Sequence, residues 1–183
     1  LKTMHFVKVG MTEREFAAEL LYEMQRLGAE GTSFDTIVAS GVHSSVPHAV
    51  VSDKKFEPGD IVTVDFGARL NGYCSDTTRN FVLGKPNEEQ QKIYNLVLKA
   101  QKYALANIRA GMSCREADSF ARETIAANGY GDCFGHSLGH GLGLEIHEAP
   151  RVSPQSEEVL QGNMVISVEP GISLKNNFGV RIE

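Results

Sequence analysis

The sequence has few of the features that mark membrane, nucleic-acid-binding or secreted proteins. Its 183 residues contain no run near the roughly 18 consecutive apolar residues of a transmembrane helix. Lysine and arginine form no cluster, and the net charge of -5 argues against nucleic acid or an anionic membrane as the main partner. The N-terminal segment lacks the charged, apolar and small-residue layout of a signal peptide. We therefore expect neither nucleic-acid nor membrane partners.

Cysteine is also scarce. The chain has only three cysteines: Cys74, Cys114 and Cys133. An odd number without a CxxC pair argues against a disulfide framework or a cysteine-rich zinc site, and it favours a reducing, cytoplasmic location. The rest of the composition, with 42% hydrophobic and 22% charged residues, is typical of a globular domain.

Two parts of the chain resemble each other in the same order. Residues 10–28 begin with Gly-Met, continue into a helix-capping pattern and close on a glycine, and residues 111–129 repeat this layout. Further along, IVTVDFG at residues 61–67 matches VISVEPG at residues 165–171. Two matches in one order predict an internal repeat.

The repeat sets the expected domain organisation. We predict two related halves, about residues 1–86 and 87–183, that share one core because no Pro/Ser-rich linker separates them. Together they form one domain over residues 1–183. Because the chain opens on Leu1 and stops abruptly at Glu183, we interpret it as a piece of a longer protein, truncated at both ends.

Helix and strand patterns occur in both halves. Capping signals start helices after Thr12 and Ser113, and PNEEQ at residues 86–90 opens a longer helix that should end before Gly111. Alternating apolar residues predict strands over residues 61–66 and 165–168. The mixture predicts an α+β fold with helices packed on an antiparallel or mixed sheet.

A hairpin in the first half brings two carboxylates together. Asn71-Gly72 between two strand-like runs is typical of a two-residue turn. With that turn, Asp65 and Asp76 are diagonal neighbours on one face, about 7–8 Å apart. Gly67 would oppose Asp76 and leave the space beside it open.

Two interpretations of this pair of aspartates are possible. Close carboxylates repel and lose solvation, so one could face solvent, or Arg69 or Arg79 could neutralise them. The repeat favours a metal site instead, because it places Glu169 where Asp65 lies in the first half.

Three of the six histidines lie in FGHSLGHGLGLEIHE, residues 134–148. They are His136, His140 and His147. The glycines between them argue against a helix, and the density of histidines favours a functional site. The segment also contains GHSLG, which matches the GxSxG motif of serine hydrolases, but no buried strand precedes it and no histidine lies well downstream.

Together these segments resemble the proline-specific metallopeptidases, the Xaa-Pro dipeptidases (prolidases) and Xaa-Pro aminopeptidases. The motifs are VDFGARLNGYCSDTTR, GHSLGHGLGLEIHE, SVEPGI and GVRIE, and the resemblance covers essentially the whole chain. It implies the pseudo-symmetric pita-bread (creatinase/aminopeptidase) fold, with helices packed on a curved, mostly antiparallel sheet. It also implies a dinuclear-metal peptidase that hydrolyses the Xaa-Pro bond of dipeptides or peptide N-termini.

The resemblance implies a role for each site residue. The metal ligands would be Asp65, Asp76, His140, Glu169 and Glu183. The catalytic residues would be Glu169, His147, His48 and His136, with Glu169 taking a proton from the attacking water. Arg181 would hold a bridging carboxylate from the second shell. Hard oxygen and nitrogen donors suit two divalent ions, Mn²⁺ first, with Co²⁺ or Zn²⁺ as alternatives.

Two alternative functions stay open at this point. A methionine aminopeptidase has the same fold and ligand logic, although the terminal GVRIE favours the proline-specific branch. A non-catalytic peptide-binding relative should have lost ligands, and all five are present. The expected partner is an Xaa-Pro dipeptide or a proline-containing peptide, and a homodimer is one expected assembly because family members are often dimers.

Overall fold

Residues 5–183, which the computed structural model describes, form three α-helices and ten short strands. The first four residues of the predicted domain, and of its first half, lie outside the described residues. The helices are α1 (Glu13–Arg26), α2 (Glu88–Asn107) and α3 (Cys114–Ala126). The strands are β1 (Gly31–Thr32), β2 (Ile37–Ser40), β3 (Ile61–Phe66), β4 (Ala68–Leu70), β5 (Tyr73–Cys74), β6 (Thr77–Val82), β7 (Gly139–Gly141), β8 (Glu148–Val152), β9 (Gly171–Ser173) and β10 (Gly179–Arg181). No helix in the described range is long and apolar enough to cross a membrane.

All three helices begin where the sequence predicts. The side chains of Thr12, Asn87 and Ser113 each accept a hydrogen bond from the backbone N–H three residues later. For Thr12 and Asn87 the reciprocal bond completes a capping box. The predicted closing glycines, Gly28 and Gly129, have φ values of +102° and +85°, which a glycine adopts without strain.

The hairpin has the predicted turn and register. Asn71 and Gly72 both have positive φ, as a type I′ turn requires. Leu70 pairs with Tyr73, and further from the turn Asp65 pairs with Thr78. The strands of the hairpin belong to two sheets. Near the turn, β4 and β5 lie in a sheet with β1, and further from the turn β3 and β6 lie in a sheet with β2.

Gly67 lies at the break, where two segments of the backbone pass close to each other. A Cβ atom there would collide with the carbonyl oxygen of Ser75 and the hydroxyl oxygen of Ser33. Ser33 Oγ donates to Ser75 O at 2.6 Å, so the two chains cross closely at this point. Glycine is therefore required by the close approach of the backbone.

The prediction of a strand over residues 165–168 is wrong. This segment runs beside β7, but only an isolated bridge joins Ile166 to Gly141. Ser167 N donates to His140 O at 2.8 Å, whereas His140 N donates to the Ser167 hydroxyl at 3.1 Å. Because the Ser167 hydroxyl takes the place of a backbone carbonyl as acceptor, the two segments do not exchange both backbone hydrogen bonds as antiparallel strands do.

The two faces of β3 explain how the core leaves room for a site. Val62 and Val64 pack with α1 in one core cluster, whereas Ile61 packs with α2 and α3 in a larger one. Asp65 has the parity of Ile61, so it faces away from α1. Five apolar residues on one face of α2 are buried: Ile93, Leu96, Val97, Ala100 and Ala104.

A buried carboxylate fastens the loop of residues 40–52 to the first helix. Glu13 is fully buried and accepts hydrogen bonds from Ser40 N at 2.8 Å, His43 Nδ1 at 2.9 Å and Ser52 Oγ at 2.7 Å. A buried acid with this many donors fixes the backbone around it. The loop it holds forms one wall of the cleft described next.

Candidate metal centre

An open cleft of about 630 Å³ collects the predicted site residues. Phe34, Ile37 and Pro47 give it one apolar wall. Eight of the nine predicted residues line it: Asp65, Asp76, His48, His136, His140, His147, Glu169 and Arg181. The ninth, Glu183, lies beside the aspartates.

Three carboxylates converge at one end of the cleft. Asp65, Asp76 and Glu183 each offer an oxygen, and these oxygens lie within 4.8 Å of one another. Asp65 comes from β3, Asp76 directly precedes β6, and Glu183 follows β10. The hairpin thus brings the aspartates together as predicted, and a strand of the second half adds the third acid.

Arg181 lies against a different carboxylate from the one expected. Its guanidinium Nη2 is 2.5 Å from Asp65 Oδ2, and its Nε is 3.8 Å from Glu169 Oε2. We expected it to hold a bridging residue, Asp76 or Glu183. β10 crosses β3 at this point, so the arginine meets the aspartate on that strand.

His140 points one ring nitrogen at the acids. Its Nδ1 lies 3.0 Å from the carbonyl oxygen of Gly141 and must donate to it, so Nε2 is left for the cleft. Nε2 is 3.4 Å from Asp76 Oδ2 and 3.3 Å from Glu169 Oε1. Burial disfavours a charge here, but hydrogen bonds to these two acids outweigh it and raise the pKa of His140 to about 10.

The other three histidines surround this centre. The His147 ring packs edge-on against His140 with 4.5 Å between centroids. His136 is half-buried, its Nδ1 donates to Ser137 O at 2.8 Å, and burial lowers its pKa. His48 is exposed in the loop that Glu13 holds.

Comparison with known proteins identifies the relationship. The model of metallopeptidase family M24 matches residues 1–183. The chain belongs to metallopeptidase family M24. The Xaa-Pro dipeptidase of Pyrococcus furiosus is 55% identical over 174 residues, which cover 95% of this chain and 50% of that protein.

Solved structures of M24 relatives agree with this one. An X-Pro aminopeptidase from Thermotoga maritima MSB8 superposes with a TM-score of 0.97 at 49% identity, over 99% of this chain and 51% of that one. The prolidase from Pyrococcus furiosus gives 0.96 at 53% identity, over 98% and 53%. These likenesses confirm the predicted pita-bread fold. The chain spans about half the length of the relatives it matches.

The chemistry of this M24 chain's donor set fits divalent metal. Asp65 Oδ1 is buried without a hydrogen-bond partner, which is costly for a carboxylate unless a cation satisfies it. Burial, with the neighbouring acids, raises the pKa of Asp65 to about 6 although Arg181 opposes the shift. Burial and the same crowding raise the pKa of Glu183 to about 8. Two divalent ions would relieve both the crowding and the unpaired oxygen.

Two residues that sequence reasoning missed hold the predicted ones. Thr78 is fully buried; its hydroxyl donates to Glu183 Oε2 at 3.3 Å and accepts from Arg181 Nε at 3.2 Å. Ser167 donates to Glu169 Oε1 at 2.9 Å. Thr78 lies in β6 two residues after Asp76, so strand alternation was the signal that could have found it.

The metal-free protein should lose stability as pH rises. The folded-state pKa values of Asp65 and Glu183 lie above their ordinary 3.8 and 4.5, so the folded state binds more protons up to about pH 8. The raised pKa of His140 acts in the same direction, because its contribution is lost as pH rises from 6.5 toward about 10. With a chelator present, the Tm should fall between about pH 5 and about pH 8, and saturating Mn²⁺ should reduce the fall.

Glu183→Gln is the control for that measurement. Its side chain cannot ionise, so its chelated Tm should decline less steeply with pH than that of the parent. A parent Tm that rises with pH in chelator, or an equal slope in the variant, would contradict the assignment of these groups.

Proposed function

We propose that residues 1–183 form the catalytic domain of a dinuclear-metal peptidase that hydrolyses the Xaa-Pro bond of dipeptides or peptide N-termini. The observation that carries the proposal is the convergence of four acids and one imidazole in a cleft with an apolar wall: Asp65, Asp76, Glu169, Glu183 and His140. The P. furiosus relative, named an Xaa-Pro dipeptidase, supports the choice of substrate.

The ligands divide between two ions in this proposal. Asp65 would hold one ion, His140 and Glu169 would hold the other, and Asp76 and Glu183 would be shared by both. Four carboxylates nearly cancel the charge of two divalent cations, and oxygen and nitrogen donors without thiolate favour Mn²⁺ over a structural zinc. Such a pair of ions, when bound, polarises a carbonyl and lowers the pKa of water.

Glu169 is proposed as the general base. Burial alone would raise its pKa, but the hydrogen bond with His140 and the charge of Arg181 hold the pKa below the usual value. An ionised carboxylate can accept a proton from the attacking water. Ser167 donates to one of its oxygens and orients it.

The histidines are proposed to act on the substrate. His147, and after it His48, would donate a hydrogen bond to the oxyanion that develops on the scissile carbonyl. His136 would contact substrate deeper in the cleft. The apolar wall of Phe34, Ile37 and Pro47 suits the apolar ring of proline.

Substrate comparison tests this function. With Mn²⁺ the protein should cleave an Xaa-Pro dipeptide, and it should cleave little or none after chelation. Preferential cleavage of a Met-Ala peptide would instead support a methionine aminopeptidase. Cleavage of neither peptide, with metal bound, would support a peptide-binding relative.

Location and assembly complete the proposal. The three cysteines are free thiols in the structure, which is compatible with the cytoplasmic location proposed from their scarcity. The homodimer stays a prediction from the resemblance alone.

A further inference from the structure

A buried acid–base pair on α3 lies behind the histidine segment, and neither of its members lines the cleft. Asp118 is 1% exposed, and the Arg122 side chain one turn later is 25% exposed. Two bonds join them: Arg122 Nε to Asp118 Oδ2 at 2.6 Å and Nη2 to Oδ1 at 2.9 Å. The pairing is bidentate, which makes its geometry specific.

The pair also bonds to the backbone of residues 134–138. Arg122 donates to Phe134 O at 2.9 Å and to His136 O at 2.8 Å. Asp118 Oδ1 accepts from Leu138 N at 3.0 Å. This segment is neither helix nor strand, so its buried polar groups need partners of this kind. The backbones of Phe134, His136 and Leu138, every second residue of the segment, are thereby bonded to one face of α3.

The fixed segment carries and adjoins proposed site residues. The Arg122 guanidinium lies 4.2 Å from the centre of the Phe134 ring, and that ring packs edge-on against His136 at 5.0 Å. On the other side, Leu138 O accepts from Glu169 N at 2.8 Å. The backbone of Leu138 is thus held between the helix pair and the strand-like segment that bears Glu169.

We propose that Asp118 and Arg122 are positioning residues that set the placement of His136 and His140 relative to Glu169. An ordinary i,i+4 ion pair would stabilise only its own helix, whereas this pair makes three bonds to another segment. A lysine cannot replace the arginine, because the planar fork reaches one carboxylate and two carbonyls at once. The inference rests on the proposed function for its catalytic consequence.

Arg122→Lys tests the proposal, with Arg115→Lys as the matched control on the same helix. Arg115 is exposed and lies 3.6 Å from exposed Glu157, so its replacement should change nothing measured here. Arg122→Lys should weaken Mn²⁺ binding severalfold, which is less than the about 10–100-fold that loss of a direct partner of a metal ligand costs, because Arg122 acts through the backbone of residues 134–136. It should also lower kcat with little change in KM. In metal-free protein, the imidazole resonances of His136 and His140 should shift in Arg122→Lys and should stay at their parental positions in Arg115→Lys.

A second variant guards against misfolding. Asp118→Asn keeps an oxygen for the Leu138 amide but loses the charge that holds Arg122, so a smaller shift of the same resonances is expected. Either variant, folded by circular dichroism and showing both parental resonances and parental Mn²⁺ affinity, would overturn the positioning role. If the parent binds no Mn²⁺, or Asp65→Asn binds it equally well, the proposed function fails. In that case the imidazole resonances of His136 and His140, measured in the variants without metal, still test the positioning role.

Discussion

Asp65→Asn is expected to weaken Mn²⁺ binding by more than about 100-fold. Replacing an outer-shell partner of a metal already costs about 10–100-fold, so a proposed direct ligand should cost more. Asp65 is buried, one of its oxygens has no hydrogen-bond partner, and the other lies 2.5 Å from Arg181. Asparagine has the same shape but no negative charge for a cation. Calorimetric titration with Mn²⁺ measures the loss.

Asp53→Asn is the control for that titration. Asp53 also pairs with an arginine, Arg14 at 2.8 Å, but both side chains are largely exposed and neither residue lines the cleft. The same chemical change there should leave Mn²⁺ affinity as it is in the parent. Parental affinity in Asp65→Asn would show that the ions bind elsewhere and would reject the proposed ligand set.

The parts of the fold that follow local rules were predictable from the sequence. The side chain of a capping residue such as Thr12 accepts a hydrogen bond from a backbone amide only three positions away. The turn at Asn71-Gly72 sets the register of the two strands that it connects. That register was enough to bring Asp65 and Asp76 together. The same alternation could have indicated Thr78, which faces Asp65 across the hairpin.

The features that were missed depend on contacts between distant segments. Gly67 is required by the crossing of residues near Ser33 and Ser75, and no local pattern announces that crossing. Residues 165–168 have a strand pattern, yet they do not complete a ladder with β7. The backbone amide of His140 donates to the hydroxyl of Ser167, where a regular strand would offer a backbone carbonyl. The partner of Arg181 depends on where β10 crosses β3.

The two predicted halves differ in the residues that support the cleft. Each half uses a helix carboxylate to hold a loop that borders the cleft, Glu13 in α1 and Asp118 in α3. The repeat aligns Glu13 with Cys114, the first residue of α3, so the two acids are not equivalent positions. The halves thus reach a similar support by different residues.

Glu169→Gln should lower kcat by about 10²–10⁴-fold at saturating Mn²⁺, which is the range expected when a general base is removed. Glutamine keeps the shape of the side chain and an oxygen that can accept from Ser167, which donates at 2.9 Å in the parent. It cannot take a proton from water. The measurement is the steady-state rate on an Xaa-Pro dipeptide, repeated until added metal no longer raises it.

Metal stoichiometry separates the two roles proposed for Glu169. If its loss as a ligand explained the slow rate, activity would recover as Mn²⁺ is raised and the second ion binds. If its loss as a base explains it, kcat stays low after two ions are bound per chain. Glu157→Gln, a surface change beside Arg115, is the matched control and should retain parental kcat. Near-normal turnover by a fully loaded Glu169→Gln would transfer the proton-accepting role to another group, and the cleft offers its histidines as the next candidates.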